Sequence, residues 1–416
     1  MTSEISEYLH YAFFTSNSIT KKLCFHSAIF FIVTLTLIST VQASSYALPV
    51  NLTNSTEIGA TDVCISGDGS KIAFARNDGE DWEIYVITSD GSGLIQLTDN
   101  SVNDRDPSIS ADGSKVTFTH SSSGKRQICI INSDGSGFRE LTDGTKDDVQ
   151  VSISGDGSKI VFTRIVEKNV LLFVMNSDGT GLKQLTDSKG DYTPFVTNPS
   201  ISDDGKKIAF QDSVAVGSNI FVVNSDGTGL TKLTTTSGDY SKNTSPSISG
   251  NGNKIAYTFT PSIMNENNSE VFLINVDGSG LTQLTSDCKG ARYPFLNDDG
   301  SQIVFEQGFD NYTDVFIINS DGSGLTQITT NNYKDQYPSM SRNSDKIAFE
   351  SNGDVFIVLY DSQENQPNET QKPGQTGESN GDITFPAERI IISLAAVAGI
   401  AGVLAAVYLK RKSHPS

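Results

Sequence analysis

SISGDGSKIVF, running from Ser152 to Phe162, reads as a strand, an Asp-Gly turn and a second strand. Small and large side chains alternate along its arms, the period-two pattern of a strand with two unlike faces. The pattern recurs before and after it: CISGDGSKIAF from Cys64, SISADGSKVTF from Ser108, SISDDGKKIAF from Ser200 and SISGNGNKIAY from Ser247. FLNDDGSQIVF from Phe295 and SMSRNSDKIAF from Ser339 complete a set of seven. The closing aromatics, Phe74, Phe118, Phe162, Phe210, Tyr257, Phe305 and Phe349, follow one another at intervals of 44, 44, 48, 47, 48 and 44 residues.

A second hairpin follows each first one. It opens on a continuous apolar run such as EIYVIT (Glu83 on) or DVFIVL (Asp354 on), suited to a strand covered on both faces. Six of these runs lead through S-D-G-[ST]-G or V-D-G-S-G into a short segment ending Leu-Thr or Ile-Thr, such as Leu94 to Thr98. Four strands in each repeat make one propeller blade. The seventh repeat supplies only three, and Val50-Asn51-Leu52-Thr53 copies the missing ending at the other end of the chain. The fold expected is therefore all-β: a seven-bladed β-propeller over residues 46–361, closed by the N-terminal strand, plus one C-terminal transmembrane helix. An open solenoid would need capping repeats at both ends, and a string of sandwiches would need longer repeats.

Two apolar segments lie outside the repeats. Residues 1–43 read as an N-terminal extension and signal peptide: Lys21-Lys22, an apolar run to about Thr40, and the small-x-small signal Val41-Gln42-Ala43. Ile390 to Leu409 carries no charge and is followed by Lys410-Arg411-Lys412. At 1.5 Å per residue it spans about 30 Å, the thickness of a bilayer core. The basic residues mark 410–416 as a cytoplasmic tail. Residues 362–388, rich in Pro, Gly and Gln, read as a disordered stalk. The expectation is a single-pass type I protein of the cell membrane with its propeller outside the cell. Six sequons, at Asn51, Asn54, Asn243, Asn267, Asn311 and Asn368, fall in the part expected outside and permit N-glycosylation.

The formal net charge of −19 repels nucleic acid, leaving cations, basic proteins and neutral glycans as partners. Cys64, Cys129 and Cys288 show no CxxC spacing and read as isolated packed thiols.

S-I-S-x-D-G-S-K-I-A-F followed by I-Y-V-x-N-S-D-G-S-G-L-x-Q-L-T resembles the repeat of TolB-like propellers, and is similar to that of the prolyl oligopeptidase and dipeptidyl peptidase relatives. The resemblance implies a binding or scaffolding platform. It also sets out what is missing for catalysis. The peptidase relatives carry a separate α/β-hydrolase domain with a G-x-S-x-G turn, a motif absent from the repeats. Some propeller lyases with a similar repeat use several metal-bound histidines, whereas His120 is the one histidine in the repeats, and reads as the start of a surface loop. No catalytic residue, metal or cofactor is expected. The Asp-Gly turns offer one carboxylate each, too few for a calcium loop.

What varies between repeats is the segment leading into each first strand. The residue before the first strand's Pro, or its replacement, is Asp62, Asp106, Gln150, Asn198, Ser245, Tyr293 or Tyr337, with Tyr192, Tyr240, Arg292 and Tyr333 close by. If the first strand is innermost, these loop residues form a ring at the mouth of a central channel, and the expected partner there is an extracellular protein or glycan. A surface glycan hydrolase or lyase acting at the mouth and a structural surface-layer component are the alternatives. Asp147 and Asp148, adjacent in sequence, would point to opposite faces of a strand, which disfavours them as a cooperating acid pair.

Overall fold

The computed structural model describes residues 47–54, 59–77, 79–122, 124–187, 194–213, 217–236, 241–262, 268–286, 290–309 and 312–359. The chain divides into a compact unit of residues 1–366 and a second of residues 367–416. The expected signal segment, stalk, membrane helix and basic tail lie outside the described residues. Among those described, no helix is long and apolar enough to cross a membrane.

Twenty-eight strands are present among the described residues. They form four propeller-like four-stranded antiparallel sheets and one twelve-stranded sheet, which is three further four-stranded units joined by the parallel bridges Val170–Phe195 and Ser218–Lys242. In the first, the inner strand Ala60–Ile65 pairs with Lys71–Asn77, which pairs with Trp82–Thr88, which pairs with the outer strand Ile95–Gln96. The second to sixth units repeat this order from inner strands Asp104–Ile109, Asp147–Ile153, Phe195–Ile201, Lys242–Ile248 and Ala291–Leu296. In the seventh, Asp335–Met340, Lys346–Ser351 and Asp354–Leu359 receive Val50–Asn51 as their outer strand, with Val50 opposite Ile357 and Asn51 opposite Phe356.

The repeated residues explain themselves once packed. Phe74, Phe118, Phe162, Phe210, Phe305 and Phe349 are fully buried. Within six units the second-strand aromatic stacks on one from the third strand, with ring centroids 5.5–5.8 Å apart, as in Phe210–Phe221 and Phe74–Tyr85. The second unit has Cys129 at that third-strand position, and Phe118 meets Phe138 from the outer turn at 6.3 Å instead. Cys64 and Cys129 are free thiols, as expected of packed cysteines, and burial pushes Cys64 up to about 12. Cys288 lies outside the described residues.

The Leu-Thr ending is a double clamp on the third strand. Leu97 N–H bonds Ile84 C=O at 2.7 Å, and Thr98 Oγ1 accepts Ile84 N–H at 2.9 Å. Thr142, Thr186, Thr234, Thr285 and Thr329 accept in the same way. Leu52 and Thr53 do so for Val355, at 2.8 and 3.0 Å, so the N-terminal segment reproduces the clamp of every other unit.

Neighbouring units are joined by backbone bonds at the Asp-Gly turns. Asp68 N–H bonds Ala111 C=O, Ala111 bonds Gly155, Asp156 bonds Asp203, Asp203 bonds Gly250, Asn251 bonds Asp298 and Asp298 bonds Arg342. Arg342 N–H then bonds Gly67 C=O, returning from the seventh unit to the first. The repeated lysine adds a second tie: the Nζ groups of Lys71, Lys115, Lys254 and Lys346 donate to the turn carbonyls of Gly113, Gly157, Gly300 and Gly69 in the adjoining units.

Candidate functional site

The seven residues singled out before the inner-strand Pro share one backbone state: Asp62, Asp106, Gln150, Asn198, Ser245, Tyr293 and Tyr337 all have φ between 51° and 56°. Each stands at a register shift, such as that between Thr61 and Cys64 or between Gln336 and Ser339, where the inner strand carries one residue more than its partner. They are thus not the ends of loops, as expected from sequence, but bulges inside the inner strands. A proline is tolerated next to such a bulge because the extra residue takes it out of the hydrogen-bond ladder. Left-handed backbone costs a non-glycine residue about 1 kcal/mol. Since all seven units bear this cost, the bulge belongs to the fold, and only the side chains mounted on it distinguish the units.

Six of the seven, all but Asp62, line a single cavity of about 420 Å³ with Pro107, Pro199, Pro246, Pro294 and Pro338. Asp62 turns aside to Arg105, whose Nε lies 3.1 Å from its carboxylate. The mouth has two unlike halves. On one, Gln150, Asn198 and Ser245 are tied together: Asn198 N–H donates to Gln150 Oε1 at 3.2 Å, while Asn198 Nδ2 and Ser245 N–H both donate to Gln211 Oε1. On the other, Tyr293 and Tyr337 stand 5.4 Å apart, tilted by 59°, about 40% and 39% exposed. Burial pushes the Tyr337 hydroxyl up to about 12, reinforced by Tyr293, Glu306 and Asp62.

Acids back the tyrosine half. Burial raises Glu306 above the ordinary glutamate range, against the pull of Arg292, whose Nε lies 2.7 Å from it. Burial likewise raises Glu350, with a Thr61 hydrogen bond opposing, and Asp106, with Asp62 adding to the rise. Thr119 Oγ1 donates to Asp106 at 3.2 Å.

Of the accessory residues expected near the mouth, Arg292 is engaged with Glu306, and Tyr333 is 53% exposed beside Asn331. Tyr192 and Tyr240 lie outside the described residues. Asp147 and Asp148 sit within the third inner strand and serve different partners, Arg126 and Arg164, as opposite strand faces require. His120 departs from expectation. It lies inside the strand Lys115–Ser122, and its Nδ1 is 2.7 Å from the fully buried Asp104, which raises its pKa. Among the sequons, Asn243 is corrected: it is 3% exposed, and its Nδ2 donates to Ser218 C=O, leaving the folded unit no room for a glycan there. Asn51 bonds Asp354 and Asn54 is exposed; Asn267, Asn311 and Asn368 lie outside the described residues.

The outer Asp-Gly turns hold their carboxylates locally. Asp134 Oδ1, for example, accepts Ser136 N–H and Oγ–H at 2.9 and 2.6 Å, which lowers its pKa. Among the described residues no group of three or more His, Cys, Asp or Glu is placed to hold a metal ion.

Three features escaped the sequence reading. Glu306, Glu350 and Gln211 occupy the register position opposite the residue before each bulge, where other units have Ala75, Thr119, Thr163 and Thr258. At the far end of the inner strands, Asp203 and Arg342 pair at 2.5 Å. Their repeat position is Gly67, Ala111, Gly155 and Gly250 in four other units, so departure from a small residue was the available signal. The third is the contact of Trp82 with Arg105, 4.1 Å from ring centroid to guanidinium, formed across two units.

In solved structures the fold recurs. Oligogalacturonate lyase in complex with manganese superposes with a TM-score of 0.63 at 14% identity, over 77% of this chain and 96% of that one. The oligogalacturonate lyase of Vibrio parahaemolyticus gives 0.60 at 14%, over 77% and 97%. A puromycin hydrolase gives 0.56 at 12%, over 71% and 50%. Likenesses at such identities concern the fold alone. No curated protein matches the chain in sequence. The model of the TolB β-propeller domain, however, matches residues 59–242 and 198–411. By its repeats, its units and this match, the chain belongs to the TolB β-propeller family.

Proposed function

We propose that the seven units form a seven-bladed propeller closed by the N-terminal strand, and that it is a non-catalytic recognition module whose mouth binds an extracellular protein or glycan. The observation that carries this reading is the meeting of six non-equivalent side chains, each from a different unit, at one cavity. Sites that recognise partners combine exposed aromatic surface with positioned polar groups. Tyr293 and Tyr337 offer the first; Gln150, Asn198 and Ser245, held by one another and by Gln211, offer the second.

The state of the acids favours binding over catalysis. Arg292 engages Glu306, Thr61 engages Glu350, Arg105 engages Asp62 and Thr119 engages Asp106. A glycan hydrolase would need two carboxylates flanking one glycosidic bond rather than four with separate partners. In this reading the propeller is displayed outside the cell, with Ile390 to Leu409 as its membrane anchor and residues 362–388 as its stalk. The test is to incubate the purified protein with extracellular proteins and with polysaccharides, following both retention and product formation. Stable retention without product supports the reading; turnover of any polysaccharide removes it.

A further inference from the structure

Beside the mouth lies a second cavity, of about 460 Å³, within the roughly 300–1,000 Å³ of small-ligand sites. Its walls are Asn77, Trp82, Asn103, Arg105, Thr119, Ser121 and Arg126, and it shares Asp106 with the mouth. Both cavities therefore open at the same end of the strands and meet at one carboxyl group.

The repeats mark this place as special. Aligned through the stacked aromatic of the third strand, the position of Trp82 is Val170, Ser218, Ser269, Thr313 and Gly353 in the third to seventh units, but Arg126 in the second. Only the first two units carry large side chains there, and both line this cavity. Their side chains are also held in place. Arg105 lies over Trp82 and bonds Asp62, and Arg126 grips Asp147 through Nε at 2.9 Å and Nη2 at 3.0 Å. Groups already immobilised lose little rotamer entropy on binding.

Charge decides the ligand class. Two arginines meet three acids, Asp62, Asp106 and Asp147, so the cavity has no positive charge to spare. An anionic ligand is disfavoured, and an apolar one would strand amides, hydroxyls and guanidinium groups without partners. A neutral molecule rich in hydroxyl groups suits both donors and acceptors. We propose that this cavity is a subsite for a neutral sugar residue, adjoining the mouth at Asp106, so that one glycan chain can occupy both. The inference rests on the mouth reading only for that continuity, and it commits the partner to a glycan.

Trp82 is the chain's single tryptophan, so its fluorescence reports this cavity alone. The experiment titrates the intact protein with neutral trisaccharides (maltotriose, cellotriose, mannotriose and chitotriose) and with acidic trigalacturonate, following Trp82 emission. The expected result is a saturable change with at least one neutral trisaccharide, and apparent affinity for trigalacturonate at least about tenfold weaker. Asp106→Asn and Asn77→Ala should each weaken the neutral ligand several-fold with unchanged melting temperature. Leu230→Ser, an exposed side chain beyond the opposite ends of the strands, should leave the trisaccharide response in place. Silence of Trp82 towards every neutral trisaccharide, or stronger binding of trigalacturonate, overturns the subsite. If Trp82 is silent while a polysaccharide is still retained through Tyr293 and Tyr337, the mouth reading survives and this one does not.

Discussion

Tyr293 and Tyr337 are large side chains mounted on left-handed backbone at the rim of the mouth, at φ of 51° each. Two effects can be separated there by comparing two truncations. Glycine and alanine remove the same aromatic surface, but only glycine accepts the left-handed conformation without penalty. Tyr337→Gly is thus expected to be more stable than Tyr337→Ala by about 1 kcal/mol in urea unfolding, while both lose mouth binding alike. Equal stabilities would mean that the bulge relaxes when the side chain goes. The residues of the ring were legible in sequence because a shared repeat, and in five cases a following proline, aligned them. Their conformation was not, since a bulge shows itself only in the register of two strands. Glu306 was hidden for the same reason, since it meets Arg292 across the register of its own hairpin. Glu350 and the Trp82–Arg105 pair instead take partners from a neighbouring unit, which no spacing within one repeat records.

At the level of the strand, the Leu-Thr clamp accounts for why so short an outer segment is kept in every unit. Thr186→Val keeps the shape but leaves the buried Leu172 N–H without its acceptor, an expected loss of about 1–2 kcal/mol. Thr53→Val should cost a similar amount, because Thr53 serves Val355 from the other end of the chain. Denaturant midpoints of the two variants check this. A neutral Thr53→Val beside a costly Thr186→Val would show that the N-terminal strand is not an integral part of the seventh unit. The strand order and this pairing could be read from sequence, since hairpin signals and the copied Val-Asn-Leu-Thr are local. The compensation in the second unit could not be read in full. Cys129 visibly replaces an aromatic, but that Phe138 reaches Phe118 in its stead is a matter of packing.

For the whole molecule, buried groups between the first two units, together with Asp203 of the fourth, set a pH dependence. Glu83, fully buried, is pushed up to about 7 by burial, with Asp104 and Asp81 adding to the rise and Thr98 and Asn100 opposing it. His120 is raised by its bond to Asp104, and Asp203 by burial to about 6. All three bind protons more tightly folded than unfolded. Glu83 and Asp203 contribute stability present below the ordinary carboxylate range and lost as pH rises through about 7 and about 6. The contribution of His120 is present below the ordinary imidazole value and lost above its raised one. Carboxylates held low, such as Asp147 beside Arg126 and Asp134 in its turn, act oppositely: their stabilisation is present above the ordinary carboxylate range and lost in more acidic solution. Urea midpoints should therefore fall from pH 5 to pH 8, and Glu83→Gln should flatten that fall; a midpoint rising over this interval would contradict the assignment.

The recognition proposed at the mouth belongs to the whole molecule, because the cavity is lined by side chains of six units. The measurement that tests it most directly is retention of the purified protein on immobilised extracellular proteins and polysaccharides. It compares the unaltered chain, the double variant Tyr293→Ala, Tyr337→Ala, and Leu230→Ser, an exposed side chain beyond the opposite ends of the strands. The expected result is a retained ligand that the double variant loses by at least about tenfold, worth roughly 1.4 kcal/mol, while Leu230→Ser keeps it and no product forms. Equal retention by the double variant, or release of product in place of a stable complex, would contradict the account.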